Sequence, residues 1–145
     1  IKTTKYGKYL NNDVINDIIF ISKNLDLISL NRLYNLTDCY VSPYRAEGFN
    51  LPPLEAAAVG TPIIVTKGGS TDDYFHPSLG LQIDSVQFEK NDLRRVEPKM
   101  DSLIECIERI ILNPNNFGQI KGSQFIQNNY NWKIITNQLY KVFNE

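Results

Sequence analysis

The feature that most constrains the fold of this chain is the stretch from Arg45 to Pro62, RAEGFNLPPLEAAAVGTP. It is typical of a loop, a short helix and a tight turn in succession. Asn50 is a favourable N-cap type, and the two prolines after Leu51 suit the first helical turn, where backbone N–H groups lack intrahelical partners. A run of helix formers follows. Gly60 then occupies the position where a left-handed residue ends a helix, and Pro62 prevents continuation.

Short apolar runs on both sides of this stretch predict strands. Cys39–Ser42 precedes the loop, and the β-branched run Ile63–Val65 follows the turn. The same alternation extends in both directions, with predicted strands at Ile18–Ile21 and Leu79–Ile83 and a short helix at Ser29–Leu36. Alternating short strands and helices indicate a parallel sheet with helices on its faces. The sequence therefore predicts an α/β, Rossmann-like fold.

The last third of the chain predicts a surface insertion followed by three helices. The segment Ser85–Lys99 is charged and irregular, which is typical of a solvated connection. The predicted helices are Asp101–Asn113, Asn116–Asn129 and Asn131–Phe143. In the last helix we expect most apolar side chains to pack in the core. These side chains are Trp132, Ile135, Leu139 and Phe143.

The loop that precedes the short helix predicted within residues 45–62 carries groups that suit a phosphorylated ligand. A helix N-terminus has free N–H donors and a partial positive charge, so it favours a phosphate. Because the prolines have no N–H, the nearest donors are those of Gly48, Phe49, Asn50 and Leu51. Glu47 and Glu55 stand on either side of the helix mouth, and carboxylates accept hydrogen bonds well from sugar and ribose hydroxyls. A ligand with hydroxyls at both ends and phosphate between them is a sugar nucleotide.

A second loop of interest follows the predicted strand Ile63–Val65. Gly68 and Gly69 mark a turn whose backbone can approach a ligand closely. Ligands of open α/β sheets bind at the carboxyl ends of strands, which is where this loop lies. The alternative is a plain turn with a helix cap at the following Ser or Thr. Lys67 is a weaker candidate for ligand contact, and His76 is predicted to be a solvated loop residue.

The segment from Glu47 to Ile64 resembles the signature of the retaining glycosyltransferases of family 4, which have the GT-B fold. The family pattern is a Glu, seven residues, a second Glu, small residues and Gly-Thr-Pro before a strand; here these are Glu47, Glu55 and residues 60–62. The resemblance extends more loosely from about residue 18 to the C-terminus. It implies the C-terminal, donor-binding half-domain of such an enzyme. We therefore expect residues 1–145 to be a single, partial Rossmann-like nucleotide-sugar-binding domain, with C-terminal helices over about residues 100–145.

The resemblance implies a role for each matching residue. Glu47 would be the catalytic residue and would accept hydrogen bonds from hydroxyls of the transferred sugar. Backbone N–H groups of residues 48–51 would hold that sugar and the diphosphate, Glu55 would accept from the ribose, and Gly68 and Gly69 would line the donor site. Catalysis would depend on stabilising the departing nucleotide diphosphate by the helix dipole and basic residues. The donor would be a nucleotide-diphosphate sugar, and no metal or other cofactor is expected.

Two parts of such an enzyme have no counterpart in the sequence. The family's phosphate-binding Arg and Lys come early in the second domain, and no residue of 1–17 matches them, although Lys2, Lys5 and Lys8 are basic. The N-terminal, acceptor-binding half is missing, so we expect weak or no transferase activity from this chain alone. The lack of a starting Met or signal-peptide pattern favours a piece of a longer cytoplasmic protein. The resemblance implies that the acceptor is a glycan, a lipid or a protein. Polysaccharide biosynthesis is the expected process. In enzymes of this fold the C-terminal helix commonly crosses back to the first domain, so the resemblance implies an alternative to core packing, in which the apolar face of the last helix is exposed or meets another copy of the chain. Peripheral membrane association of the full-length protein and a homodimer of the piece are left open.

Composition and charge argue against several other classes. The net charge of −1 over 145 residues argues against bulk binding to nucleic acid. No apolar run approaches the ~20 residues of a membrane span. Cys39 and Cys106 make no metal or redox spacing and are predicted to be buried thiols in a reducing compartment. The alternatives to a transferase are a non-catalytic binding or assembly module, a sugar-nucleotide epimerase of related fold and, more weakly, a glycosidase with paired carboxylates.

Overall fold

The structure, a computed structural model, describes residues 18–90 and 93–144. The chain divides into two units, residues 1–30 and residues 31–145. The helix or loop predicted within residues 1–17 lies outside the described residues, as do Lys2, Lys5 and Lys8. The single domain expected over residues 1–145 stays a prediction.

The apolar run at residues 18–21 forms neither a strand nor a helix, so the predicted first strand is wrong. Its four side chains are all exposed, and Ile19 has an exposed fraction of 89%. A β-branched run becomes a strand only where its backbone pairs with a neighbour, and these residues have no strand partner in the described part of the chain. The next prediction is confirmed, because helix α1 spans Leu27–Leu36. Asp26 Oδ1 accepts a hydrogen bond from the Ser29 N–H at 2.7 Å and caps this helix.

Three parallel strands form the central sheet, as predicted. They are β1 (Tyr40–Ser42), β2 (Ile63–Thr66) and β3 (Gly80–Ile83), in that order across the sheet. Tyr40 pairs with Ile63, and Ile63 pairs in turn with Gly80. Because the strands are parallel and nearly level, their carboxyl ends meet at one edge of the sheet. The loops that follow all three strands therefore begin side by side.

Helices cover both faces of this sheet. Their bounds are Leu51–Ala58 for α2, Met100–Leu112 for α3, Gln119–Asn129 for α4 and Trp132–Phe143 for α5. Helix α2 connects β1 to β2 and packs on both strands and on α4, whereas α3 packs on β2 and β3. Ile64 belongs to the apolar cluster beneath α3, which also contains Cys106 and Ile110. The alternation of a strand puts Ile63 and Val65 on the opposite face, and all of β2 is fully buried.

The segment between β3 and α3 is not irregular, and this prediction is corrected. Residues Ser85–Lys90 form β4 and residues Leu93–Pro98 form β5, an antiparallel hairpin in which Gln87 pairs with Val96. Val86 and Phe88 alternate with polar residues in β4, whereas Leu93 and Val96 of β5 lie three residues apart with two arginines between them, so only the first strand shows the period-two pattern of a ribbon.

Helix α5 does not pack in the core, so the favoured prediction for its apolar face is wrong. No residue of α5 is buried, and the exposed fraction is 86% for Trp132 and 78% for Phe143. Its N-terminus is well formed, because the Asn131 side chain accepts from the Ile134 N–H at 3.0 Å. The alternative of an exposed face is confirmed for this chain; contact with another copy stays a prediction.

Candidate functional site

A cavity of about 260 Å³ lies at the carboxyl edge of the sheet. It is bounded by the loop after β1, the loop after β2 and the hairpin after β3. Its lining residues are Tyr44, Arg45, Ala46, Glu47, Gly68, Gly69, Ser70, Gln87, Arg95 and Val96. The structure thus brings together three of the predicted site residues, namely Glu47, Gly68 and Gly69. Glu47 is exposed, so its carboxylate is accessible from solvent.

The loop after β1 leads into α2 through a left-handed residue. Asn50 is the N-cap, at φ 62° and ψ 66°, and its side chain makes no capping bond. It donates instead to Ser42 Oγ at 2.9 Å, while the Asn50 carbonyl accepts from the Tyr74 hydroxyl at 2.9 Å. The predicted N-cap position is therefore confirmed, but the predicted capping side chain is not. Asn is among the residue types that tolerate this backbone conformation.

The N-terminus of α2 keeps its hydrogen-bond donors free. The N–H groups of Gly48, Phe49, Asn50 and Leu51 have no acceptor among the described residues. The two prolines occupy the next positions and contribute no N–H. Four donors and the positive end of a helix dipole therefore remain for a bound anion or hydroxyl, as the sequence predicts.

Tyr44 joins the two glycine-bearing loops. Its hydroxyl lies 3.1 Å from the Thr66 carbonyl oxygen and 2.8 Å from Thr71 Oγ1, and it accepts from the Thr71 N–H at 3.1 Å. Thr66 and Thr71 are both fully buried. One phenol thus satisfies buried groups at the end of β2 while its own backbone belongs to the loop that carries Glu47. This contact fixes the distance between the two loops.

The two glycines of the second loop have different roles. Gly68 has a φ of +86°, its N–H donates to Asp72 Oδ2 at 2.9 Å, and its carbonyl accepts from Gln87 at 3.3 Å. Its backbone is therefore already engaged. At Gly69 a side chain would collide with Tyr44, since a Cβ there would lie 2.6 Å from the Tyr44 hydroxyl oxygen. The N–H groups of Gly69 and Ser70 have no acceptor in the described part of the chain, so Gly69 is the better placed of the two glycines for contact with a ligand.

The β4–β5 hairpin closes the third side of the cavity. Its backbone is tied to the Glu47 loop, because the Val96 N–H donates to the Arg45 carbonyl at 2.9 Å. The Arg45 guanidinium also makes a bidentate ion pair with Glu97, at 2.6 and 2.7 Å, which lowers the pKa of that carboxyl. The hairpin reaches the second loop as well, where Ser85 Oγ donates to the Lys67 carbonyl at 2.6 Å. The segment expected to be a surface insertion is therefore a wall of the site.

Glu55 lies on α2 but outside this cavity. Its carboxylate accepts a hydrogen bond from the Tyr34 hydroxyl at 3.0 Å. Burial raises the pKa of Tyr34, and this hydrogen bond raises it further, so the phenol stays protonated as a donor. Burial also raises the pKa of Tyr40, with contributions from the carboxylates of Glu55 and Glu47. Tyr40 is therefore within electrostatic range of both acidic residues. That the two carboxylates face one ligand stays a prediction.

Two polar side-chain atoms of the cavity wall are buried without a partner. Ser70 Oγ and Arg95 Nε make no hydrogen bond with any described residue. Arg95 also forms no ion pair within the described ranges, in contrast to Arg45. Buried polar groups are nearly always paired in native proteins, so such atoms call for a partner. Neither residue was a candidate from the sequence, and the strand that carries Arg95 has no period-two pattern that could have placed it beside the site.

The remaining candidates lie apart from the cavity. Cys39 is half-buried and Cys106 buried, both are free thiols, and burial raises the pKa of Cys39 to about 12. His76 is exposed, as predicted, and its ring stacks on Phe125 at a centroid distance of 4.4 Å. In the described part of the chain, no three His, Cys, Asp or Glu side chains are grouped so that they could hold a metal ion. Within the same residues, no helix has the length and apolar character needed to cross a membrane.

Comparison with known proteins identifies the family. The family described as glycosyl transferases group 1 matches residues 8–132, which is most of the chain. This chain belongs to the glycosyl transferases group 1 family. The predicted resemblance to a glycosyltransferase is confirmed at this level.

Two individual relatives show the extent of the similarity. The chain is similar to the capsular polysaccharide biosynthesis glycosyltransferase CapM of Staphylococcus aureus, at 24% identity over 137 residues, covering 88% of this chain and 33% of CapM. It is also similar to uncharacterized protein 356 of Sulfolobus islandicus rod-shaped virus 1, at 29% identity over 116 residues, covering 77% of this chain and 32% of that protein. The chain thus spans about a third of the length of these two relatives.

A solved structure supports the fold of this group 1 glycosyltransferase chain. Sucrose-phosphate synthase from Thermosynechococcus elongatus superposes with a TM-score of 0.73 at 22% identity, covering 96% of this chain and 32% of the synthase. The α/β architecture with a parallel sheet flanked by helices matches the GT-B glycosyltransferase fold, which confirms the predicted fold class. The assignment to the C-terminal half of such an enzyme stays a prediction.

Proposed function

We propose that this chain is the donor-binding, C-terminal half of a retaining family 4 glycosyltransferase that uses a nucleotide-diphosphate sugar. The observation that carries the proposal is the cavity at the carboxyl edge of the sheet, which Glu47 and Gly69 line together, while the free N–H groups of residues 48–51 follow Glu47 directly in the chain. A carboxylate beside free N–H donors suits a ligand that presents hydroxyls and phosphate oxygens at neighbouring positions. A nucleotide sugar has this combination.

Each element then has a separate task. The Glu47 carboxylate accepts hydrogen bonds from hydroxyls of the transferred sugar and so fixes the sugar against the helix mouth. The N–H groups of residues 48–51 and of Gly69 donate to the sugar and to the diphosphate. Donors fixed in place before the reaction stabilise the charge that builds on the departing nucleotide diphosphate as the glycosidic bond breaks. Each hydrogen bond to a charged group contributes about 1.5–3 kcal/mol.

Glu55, which lies outside the cavity, binds the ribose in this proposal. One of its carboxylate oxygens is held by Tyr34, and the other remains for a ribose hydroxyl. The Tyr34 hydrogen bond orients the carboxylate before the nucleotide arrives, so less rotational freedom is lost on binding. The proposal also includes an acceptor-binding half in the full-length protein, which closes over the donor. A cytoplasmic location of that protein is part of the same proposal.

The test is a binding titration of the full-length protein with a panel of nucleotide sugars. We expect one donor to bind, and Glu47→Gln to weaken it at least tenfold, which is about 1.4 kcal/mol. Glu108→Gln is the matched control, because Glu108 is an exposed carboxylate on α3 and makes the same charge change away from the cavity. Failure of every nucleotide sugar to bind would favour the non-catalytic assembly module instead.

Two further readouts separate the remaining alternatives. If the bound sugar is converted to its epimer without any acceptor, the protein is a sugar-nucleotide epimerase and not a transferase. Once an acceptor is found, NMR of the product should show the anomeric configuration of the donor sugar retained. We also expect the 145-residue chain alone to give weak or no transfer, and full transfer from the isolated chain would refute that part of the proposal.

A further inference from the structure

The feature that the proposed function leaves unexplained is an arginine in the wall of the cavity. Arg95 lies on β5, in the hairpin that bridges the two site loops, and it lines the cavity together with Glu47 and Gly69. Its Nε is buried and unpaired, and its guanidinium has no carboxylate partner among the described residues. Burying a donor of a permanent cation without an acceptor is unfavourable, so the position favours an anionic ligand.

The residues around Arg95 are held in place by burial, a backbone hydrogen bond and an ion pair. The next residue, Val96, is buried, with 4% of its surface exposed, and its N–H is bonded to the Arg45 carbonyl. The neighbouring Glu97 is occupied by Arg45 in a bidentate pair and is therefore not free to neutralise Arg95. On the opposite wall, Ser70 Oγ is a second buried atom without a partner. A cation, a hydroxyl and the free N–H of Gly69 thus line one small space.

We infer that Arg95 binds the phosphate of the donor that is attached to the sugar, the β-phosphate. This inference rests on the proposed function, because the same cavity holds Glu47, which binds the sugar there. The phosphate nearest the sugar is the one that shares this cavity with it, whereas Glu55, which binds the ribose in the proposed function, lies outside the cavity. The guanidinium supplies a fixed positive charge to the oxygen that becomes negative as the sugar departs. The hairpin therefore brings a basic residue to a site for which the sequence offered none.

The experiment compares two nucleotides that differ by one phosphate. The full-length protein is titrated with UDP, GDP, ADP, CDP and dTDP, and the diphosphate that binds is then compared with its monophosphate. Arg95→Gln should weaken the diphosphate about tenfold and leave the monophosphate within twofold of wild type. Arg95→Lys keeps the charge but not the planar donor set, so it should recover only part of the loss. Arg109→Gln on α3 removes the same charge from an exposed helix position and should change neither affinity.

The outcomes separate this inference from the function on which it rests. If a diphosphate binds and Arg95→Gln leaves it unchanged, or weakens both nucleotides equally, Arg95 does not bind the β-phosphate, while the donor site itself stands. If diphosphate affinity is unchanged but nucleotide-sugar affinity falls, Arg95 contacts the sugar and the inference is also overturned. If no nucleotide binds the wild-type protein, the proposed function fails as well. Circular dichroism of each variant shows whether a loss of binding reflects unfolding.

Discussion

Replacing Gly69 by alanine should separate the two loops of the site, and the size of the effect follows from one contact. The Cβ of alanine would lie 2.6 Å from the Tyr44 hydroxyl oxygen and 2.8 Å from its Cε2. To restore an ordinary contact near 3.4 Å, the phenol must retreat by about 0.8 Å. The hydroxyl now lies 2.8–3.1 Å from its three partners, so a retreat of this size breaks most of these hydrogen bonds.

The expected loss of stability combines overpacking with hydrogen bonds to buried groups. Overpacking costs about 1–3 kcal/mol, and leaving a buried donor such as the Thr71 N–H unpaired costs about the same again if the loops cannot adjust. We expect Gly69→Ala to lower the free energy of unfolding by about 2 kcal/mol. The backbone of Gly69 is extended, at φ −128°, so alanine itself adds no backbone strain. Urea unfolding of the 145-residue chain, followed by circular dichroism, measures this difference.

Gly48 provides a matched control for this substitution. It lies in the neighbouring loop, and a Cβ there would meet nothing within 4 Å. Gly48→Ala should therefore leave stability within about 0.5 kcal/mol of wild type, or raise it slightly by restricting the unfolded chain. Combining Gly69→Ala with Tyr44→Ala should abolish the cost of the alanine at position 69. The reasoning is refuted if Gly69→Ala costs no more than Gly48→Ala, or if it costs the same with and without the Tyr44 ring.

The remaining predictions concern other parts of the same unit. Asn50→Ala should lose about 1 kcal/mol more stability than Asn50→Gly in urea unfolding, because only glycine relieves the left-handed backbone; equal losses would show that the hydrogen bond alone matters. Tyr34→Phe should cost about 0.5–1.5 kcal/mol in the same assay by removing the bond to Glu55, whereas no loss would mean that this carboxylate is not held. Native Cys39 and Cys106 should react slowly with iodoacetamide at pH 8, because burial raises the pKa of both thiols, and rapidly in urea; equal rates would contradict their burial. Since burial raises the folded pKa of Cys39 to about 12, stability should be unaffected by this thiol below pH ~8.5 and fall as pH rises above it, a slope that Cys39→Ser should reduce.

Much of the sheet could be predicted because its local signals agree with one another. The proline pair, the glycine at position 60 and the β-branched run after it each specify the same boundaries, and α2 and β2 lie where they place them. Gly60 indeed has a φ of +94°. The site loops follow from this, since both begin at the carboxyl ends of adjacent parallel strands. Glu47 and Gly69 could thus be placed in one site without any knowledge of the tertiary structure.

The errors occur where the outcome depends on a partner rather than on the local sequence. The run at residues 18–21 has strand composition but no strand beside it in the described chain, and α5 has an apolar stripe of which no residue is buried by the described part of the chain. Each pattern shows which secondary structure the residues favour, but it does not show which other element packs against them. Arg95 was missed for the converse reason. Its importance comes from the hairpin folding back over two loops, with Ser85 bonded to Lys67, 18 residues earlier, and Val96 bonded to Arg45, 51 residues earlier, contacts that a local pattern does not contain.

The measurement that tests the central claim most directly is the position of the bound diphosphate in a structure of the full-length protein with its donor. The account predicts the diphosphate between the Gly69 N–H and the mouth of α2, with the sugar hydroxyls on Glu47. It also predicts the ribose on the side of α2 that carries Glu55. A diphosphate bound elsewhere on this chain, with Glu47 and Gly69 free of the ligand, would contradict the account, because the cavity at the carboxyl edge of the sheet would then not be the donor site.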